Sequence, residues 1–390
     1  MIKKNRLKSK FHILPIIIIA QFFCTSLWFA GNAVIDDLTN KFTVGFNIEG
    51  YVLSSVQLGF IIGTLSFALL TLADRFSPSK VFFTCALLGA LSNLPLLLPE
   101  ISIFNLLTAR FATGFFLAGI YPVGMKIASD YYKEGLGTAL GFLVGALVLG
   151  TALPHLLFEF NSDNAFNTVL LSTSFLSTLG GFLIFIFVPD GPYRSPALRI
   201  QLGVITQLFS ITSFRKAAIG YFGHMWELYA FWGFVPLILK TYSQLQGISI
   251  PIALWSFIII AIGSISCVVG GFISLKIGSK KVARFMLMCS ALFCLASPLF
   301  FTVSPYLFLI ILCLWGMFVI ADSPQFSTMI ADAAPPELKG TGLTIVNCIG
   351  FAITIISIQL LNALTDTIPI TFLFVLLSIG PLIGLYFLRK

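Results

Sequence analysis

The chain has 390 residues, of which 58% are hydrophobic and only 10% charged, with a net charge of +8 and 41 phenylalanines. Soluble globular proteins carry roughly 25% charged residues, so this composition excludes an ordinary cytosolic enzyme, and the mean hydropathy of +1.00 points to a bilayer. The positive charge does not indicate a nucleic-acid binder, because it is spread over short segments between apolar runs.

Twelve apolar stretches are predicted to cross the membrane as helices, since roughly 20 apolar residues span the hydrocarbon. They are 12–34, 49–73, 81–99, 103–127, 137–158, 167–188, 214–239, 250–275, 282–303, 306–330, 341–364 and 369–388. The opening MIKKNRLKSK resembles the basic flank of a signal peptide, but the apolar run behind it is long and eleven more follow, so it is read as a retained first helix. With the N-terminus inside, 20 of the 23 lysines and arginines fall on cytoplasmic segments, Lys41 and Lys240 fall outside, and Arg110 lies within a span. That asymmetry places both termini in the cytoplasm.

The widest gap between spans divides the chain into a six-helix bundle over 1–188, a central loop over 189–213 and a second six-helix bundle over 214–390. The loop begins PDGPYRSP, which stops a helix. Leu198, Leu202, Ile205 and Phe209 then recur at helical spacing opposite Arg199 and Gln201, as in a short helix lying on the inner membrane surface; a flexible linker is the alternative. The seven cysteines lie in spans without a Cys-x-x-Cys pair and read as small apolar filler.

Arg110, Glu227 and Asp322 lie deep in apolar runs, where an ionised group is costly unless paired, hydrated or neutralised. Each falls in a polar stripe. Gln21, Thr25, Trp28 and Asn32 share a helical face in the first span, and Arg110, Thr113, Leu117 and Tyr121 share one in the fourth. The seventh span groups Tyr221, His224 and Glu227, with Trp226, Tyr229 and Trp232 close by, while Trp315, Asp322 and Gln325 share a face in the tenth. An arginine keeps its charge and must pair or bind an anion, whereas a buried carboxyl can be neutralised by a proton. Glu227, near the middle of its span, is the first expectation for a proton carrier. Asp322 comes second, with His224 one turn from Glu227 as a relay. His155, alone after Pro154, reads as a packed residue.

The halves repeat. Ala73-Asp74-Arg75 and Ser274-Leu275-Lys276 are 201 residues apart, Pro122 and Pro324 are 202 apart, as are Asp130 and Asp332, and the Gly137 and Gly340 segments are 203 apart. Duplicated six-helix halves are a common plan in transporters. On these residues the chain resembles the major facilitator superfamily over essentially its whole length. The family's loop motif between the second and third helices, Gly-x-x-x-Asp-Arg-x-Gly-Arg-Lys, is matched by LTLADRFSPSK at Asp74, Arg75 and Lys80, with departures at Leu70, Ser77, Pro78 and Ser79. The second copy, GFISLKIGSKK, keeps Gly271, Lys276, Gly278, Lys280 and Lys281 and has Leu275 in the acid's place. LLTARFATG is similar to the fourth-helix motif, with Arg110 and Gly114.

The resemblance implies an all-α integral membrane protein of two pseudo-symmetric six-helix bundles, with a cavity lined by the first, fourth, seventh and tenth spans. It also implies a cytoplasmic gate at the loop motif. The chain is therefore expected to be a secondary transporter in a bacterial inner membrane, not an enzyme. It would carry a small polar or anionic organic solute, coupled to protons, by alternating access. Arg110, Trp28, Asn32, Tyr121, Trp226, Tyr229, Trp232 and Gln325 are the expected substrate residues. No metal-ligand spacing or ATP-binding sequence is present, so no cofactor is expected. The partners are the solute, protons and lipid, and the protein is expected as a monomer. Proton-driven drug or metabolite efflux is the alternative, weakened because Leu153 precedes Pro154 where the family's antiporters have Gly-Pro. Nitrate or nitrite exchange would call for an arginine in each half. A sensor on the same scaffold would carry an added signalling domain.

Overall fold

A computed structural model describes residues 12–40, 48–132, 136–161, 164–194, 204–335 and 338–389, and these are helical with no strand among them. Inside a bilayer every backbone N–H and C=O must be paired within the segment, which leaves the helix as the solution for a chain this apolar. Ten helices among the described residues are long and apolar enough to cross a membrane. The chain is a multi-pass membrane protein. It divides into two compact units, Met1–Phe42 with Leu58–Arg199, and Thr43–Gln57 with Ile200–Lys390.

The helices of the first half are α1 (Ile13–Thr25), the short α2 (Ala30–Ala33) and α3 (Ile35–Asn40), α4 (Glu49–Leu69), α5 (Leu72–Arg75), α6 (Pro78–Asn93), α7 (Ile103–Leu117), α8 (Tyr121–Tyr131), α9 (Leu136–Phe160) and α10 (Ala165–Phe187). The expected first span is therefore not one continuous helix. The hydroxyls of Thr25 and Ser26 donate back to the carbonyls of Gln21 (2.8 Å) and Phe23 (2.6 Å), an arrangement that competes with the helical ladder. The chain then turns through Ser26–Phe29. The fourth span breaks between α7 and α8 because Pro122 has no N–H and its ring crowds the carbonyl one turn back. Gln21 and Thr25 are thus on α1 while Trp28 lies in the turn and Asn32 beyond it, and Tyr121 lies beyond the α7–α8 break. Neither stripe is a single helical face.

α1 packs on α9 and α10. Gly150 of α9 faces the Phe22 carbonyl and Thr25, and Gly180 of α10 faces Ala20 and Cys24, so backbones approach closely at both crossings. Gly141, on the same helix, has open space around it instead.

The second half comprises α11 (Val204–Ser210), α12 (Thr212–Gln246), α13 (Ile252–Ala261), α14 (Gly263–Ile277), α15 (Ser279–Phe300), α16 (Pro305–Ala321), α17 (Ser323–Ala333), α18 (Lys339–Leu364), α19 (Ile370–Leu373), a 3-10 turn over Phe374–Ser378, and α20 (Ile379–Arg389). α12 occupies the seventh span but runs for 35 residues, about 52 Å at 1.5 Å per residue. It is less apolar than the other spans because its centre carries His224, Glu227 and several glycines. Of the expected surface helix, Leu198, Arg199, Gln201 and Leu202 lie outside the described residues. Its remainder is α11, which buries Val204 and Leu208 rather than Ile205 and Phe209 and packs on α12 and α18.

The repeat survives at the level of elements. Ile103 and Pro305, Tyr121 and Ser323, and Tyr131 and Ala333 open or close equivalent helices, each pair 202 residues apart. The fourth and tenth spans are therefore broken at the same place, with Pro122 and Pro324 marking both joints.

Candidate functional site

In the first unit the buried charge is Arg110 on α7, with no exposure to solvent. Its guanidinium donates to the Leu27 carbonyl (3.3 Å from both terminal nitrogens), the Trp28 carbonyl (2.5 Å) and Asn93 Oδ1 (3.3 Å). The turn after α1 releases carbonyls from the helical ladder, and the arginine supplies the donors they lack. Asn93 of α6 completes the arrangement by donating to the Leu170 carbonyl, Thr173 and Ser174 of α10 at 3.1 to 3.3 Å. A side chain at Gly31 would come within 3.0 Å of Arg110 Nε, so that glycine makes room for the guanidinium. Asn93 is not visible in the sequence, because a lone amide in an apolar run carries no periodicity. Trp28 is buried with its ring 4.8 Å from Phe60, Asn32 is buried, and Tyr121 is half-buried at the start of α8.

At the loop end of the same unit, Lys126 of α8 lies 2.7 Å from Asp74 and 3.5 Å from Asp130. Arg194 donates to the backbone carbonyls of Asp74 (2.8 Å) and Phe76 (2.6 Å) and pairs with Asp190, which also accepts from Ser77. The motif acid therefore has a basic partner. In the sequence Lys126 stands out only as part of the general charge bias. Arg75 and Lys80 are exposed. In the second unit Gly271 is half-buried, Lys276 and Gly278 are exposed, and Gly278 sits at φ 90° between α14 and α15. The positions equivalent to Asp74 and Lys126 are Leu275 and Thr328, and Asp332 has no ion pair among the described residues.

The acids of the second unit fall into two sets. Glu227 Oε1 accepts from Ser290 Oγ (2.5 Å), Trp315 Nε1 (2.7 Å) and Cys294 Sγ (3.2 Å), joining α12 to α15 and α16. Cys294 is thus more than apolar filler. Ser290 and Cys294, one turn apart on α15, are the signal in the sequence for this network. His224 Nδ1 lies 2.8 Å from Asp322 Oδ1, with both side chains 1% exposed. Asp322 stands in the joint between α16 and α17, so it is the residue at the break and not part of a continuous stripe. The His224 ring lies between Tyr221 and Phe326, at 5.8 and 6.1 Å.

Tyr229 and Trp232 are buried together, ring centroids 5.3 Å apart, and Gln325 is buried on α17. Trp226 does not join them. Its indole donates to the Leu376 carbonyl (3.1 Å) and packs over Gly380, toward the twelfth span. His155 is 3% exposed and its Nε2 has no partner among the described residues.

Two repeated halves with broken fourth and tenth spans and ionisable groups buried in both define a polytopic helical membrane protein. The sequence profile of the Major Facilitator Superfamily matches residues 16–358, and the chain belongs to that family. Among solved structures it is similar to the proton:xylose symporter XylE bound to 6-bromo-6-deoxy-D-glucose, at TM-score 0.77 and 14% identity over 98% of this chain and 96% of that one. A point mutant of the nucleoside transporter NupG is similar at TM-score 0.71 and 14% identity, over 97% and 99% of the two chains. A bacterial homologue of the human lysosomal transporter Spinster, inward-facing and unoccupied, gives TM-score 0.65 and 14% identity, over 92% and 83%. No curated protein sequence is similar enough to count as a relative.

Proposed function

We propose that this chain is a secondary transporter that couples movement of a small polar organic solute to protons, by alternating access, in a bacterial inner membrane. The observation that carries this reading is the His224–Asp322 pair, two titratable groups 2.8 Å apart, buried, and placed on a helix joint. While the pair is intact, the imidazole ties α12 to the joint. A proton taken up on Asp322 removes the carboxylate's hold on His224 and frees the joint to move, and its release restores the tie. Glu227 is a second proton site, set on hydroxyl, indole and thiol donors with no basic side chain bonded to it among the described residues. Helix joints at an ionisable residue are what a two-state transporter needs, because small local changes move whole elements. The description of XylE as a proton symporter supports this reading. The cluster of Asp74, Lys126, Asp130 and Arg194 is proposed as the gate that closes one end of the first unit.

The test is uptake into proteoliposomes holding the full chain, with and without an imposed pH gradient. Asp322→Asn and Glu227→Gln should each abolish uphill uptake while solute exchange continues. Undiminished uphill uptake in both variants would overturn proton coupling at these sites.

A further inference from the structure

Each charge buried in the spans has at least one partner within its own unit, although Arg110 Nε, His224 Nε2 and Asp322 Oδ2 have none among the described residues. Arg110 is spent on backbone carbonyls and Asn93, Glu227 on three donors, and His224 and Asp322 on each other. Among the described buried groups of the first unit without a hydrogen-bond partner, two are complete amides. Gln21 on α1 and Asn32 on α2 are 0% and 4% exposed, and neither the nitrogen nor the oxygen of either side chain has a partner among the described residues. Burying one unmet amide is costly, and more so at membrane depth, so two of them flanking the same turn call for an occupant. Gln21 also rests where Gly124 of α8 leaves space, since a side chain at Gly124 would collide with Gln21 Oε1.

The chemistry of the unmet groups selects the occupant. A carboxamide donates through nitrogen and accepts through oxygen. A hydroxyl does both in turn and can satisfy each atom. A carboxylate or phosphate only accepts, which leaves the amide oxygens unmet. An ammonium only donates and leaves the amide nitrogens unmet.

We propose that Gln21 and Asn32 are recognition residues for an uncharged, hydroxyl-rich solute. This rests on the transport reading above and narrows it to neutral substrates.

The experiment measures thermal unfolding of the purified full-length protein with millimolar D-glucose, D-xylose, myo-inositol or uridine, and with succinate and choline as charged probes. At least one neutral solute should raise Tm. Gln21→Leu and Asn32→Leu should each remove that rise while the Tm without solute stays level or increases, because an unmet amide has been replaced by an apolar group. A drop in the Tm without solute in both variants would mark the amides as structural and overturn the proposal. So would stabilisation by succinate or choline alone, no response to any neutral solute, or a neutral response that survives both substitutions. Proteoliposome uptake separates the two readings. Carriage of succinate would leave transport standing and sink the substrate class, whereas a neutral solute that binds but is never carried would do the reverse.

Discussion

In the first unit a buried cation, Arg110, ends on the carbonyls of Leu27 and Trp28, whereas in the second unit the buried acids Glu227 and Asp322 end on side-chain donors. Backbone carbonyls cannot rotate away or change protonation, so the first arrangement is fixed as long as the fold is. Hydroxyl, thiol, indole and imidazole groups can turn or titrate, so the second can rearrange. The loop ends differ in the opposite sense. The first unit has the Asp74–Lys126–Asp130 cluster, while the second has Leu275, Thr328 and an exposed Asp332. One unit is thus a fixed frame with an ionic cluster at its end, the latch of the proposed gate, and the other keeps its adjustable chemistry inside.

The comparison breaks most directly at Arg110. Arg110→Met strands two carbonyls and Asn93 in an apolar interior, and should lower unfolding stability in detergent by on the order of 3 kcal/mol or more. Lysine should not rescue it, because an ammonium cannot reproduce the fork. An unchanged Tm would mean that the carbonyls find other donors and the frame is not fixed by the arginine. In the second unit Trp315→Phe keeps a ring against Phe231, 4.5 Å away, but removes the indole donor to Glu227. Proton-driven uptake should fall about tenfold at an unchanged expression level, the value of one hydrogen bond to a charged group. No change would place Glu227 outside the adjustable part.

Asp74→Asn weakens a pair whose side chains are still 16 to 22% exposed, so stability should move by less than about 1 kcal/mol. Transport should nevertheless fall severalfold at an unchanged level of membrane protein, and equal rates would remove the latch. Leu275→Asp together with Thr328→Lys builds the missing latch into the second unit, and a slower cycle is expected from the same uptake assay. The smallest effect is expected from Gly31→Ala, where the new methyl meets the guanidinium at 3.0 to 3.3 Å. A loss of about 1 kcal/mol by thermal unfolding is expected, since the arginine must shift by a few tenths of an ångström.

The twelve spans, the repeat and the three buried charges are legible in the sequence because each is a composition or spacing signal. Partners are not. Nothing in ARFATG says that Arg110 will meet carbonyls, since those carbonyls become available only because Thr25 and Ser26 loosen the helix some 80 residues earlier. Helical spacing turns the stripes into continuous faces because it assumes an unbroken helix, and the turn after Thr25 and the joints at Pro122 and Pro324 interrupt that count. Lys126 is hidden by its company, as one of many basic residues placed by topology. Closeness in sequence groups Trp226 with Tyr229 and Trp232, although a few residues around a helix is enough to face a different neighbour.

The joints at Tyr121 and Ser323 match in position but not in chemistry. The two halves carry the same proline-marked interruption 202 residues apart, yet at the residue just before it one has Ile120 and the other Asp322. A tandem of two first halves would carry every interruption and place isoleucine at both, leaving no ionisable group at either joint. The two halves share a skeleton, but neither could be exchanged for the other.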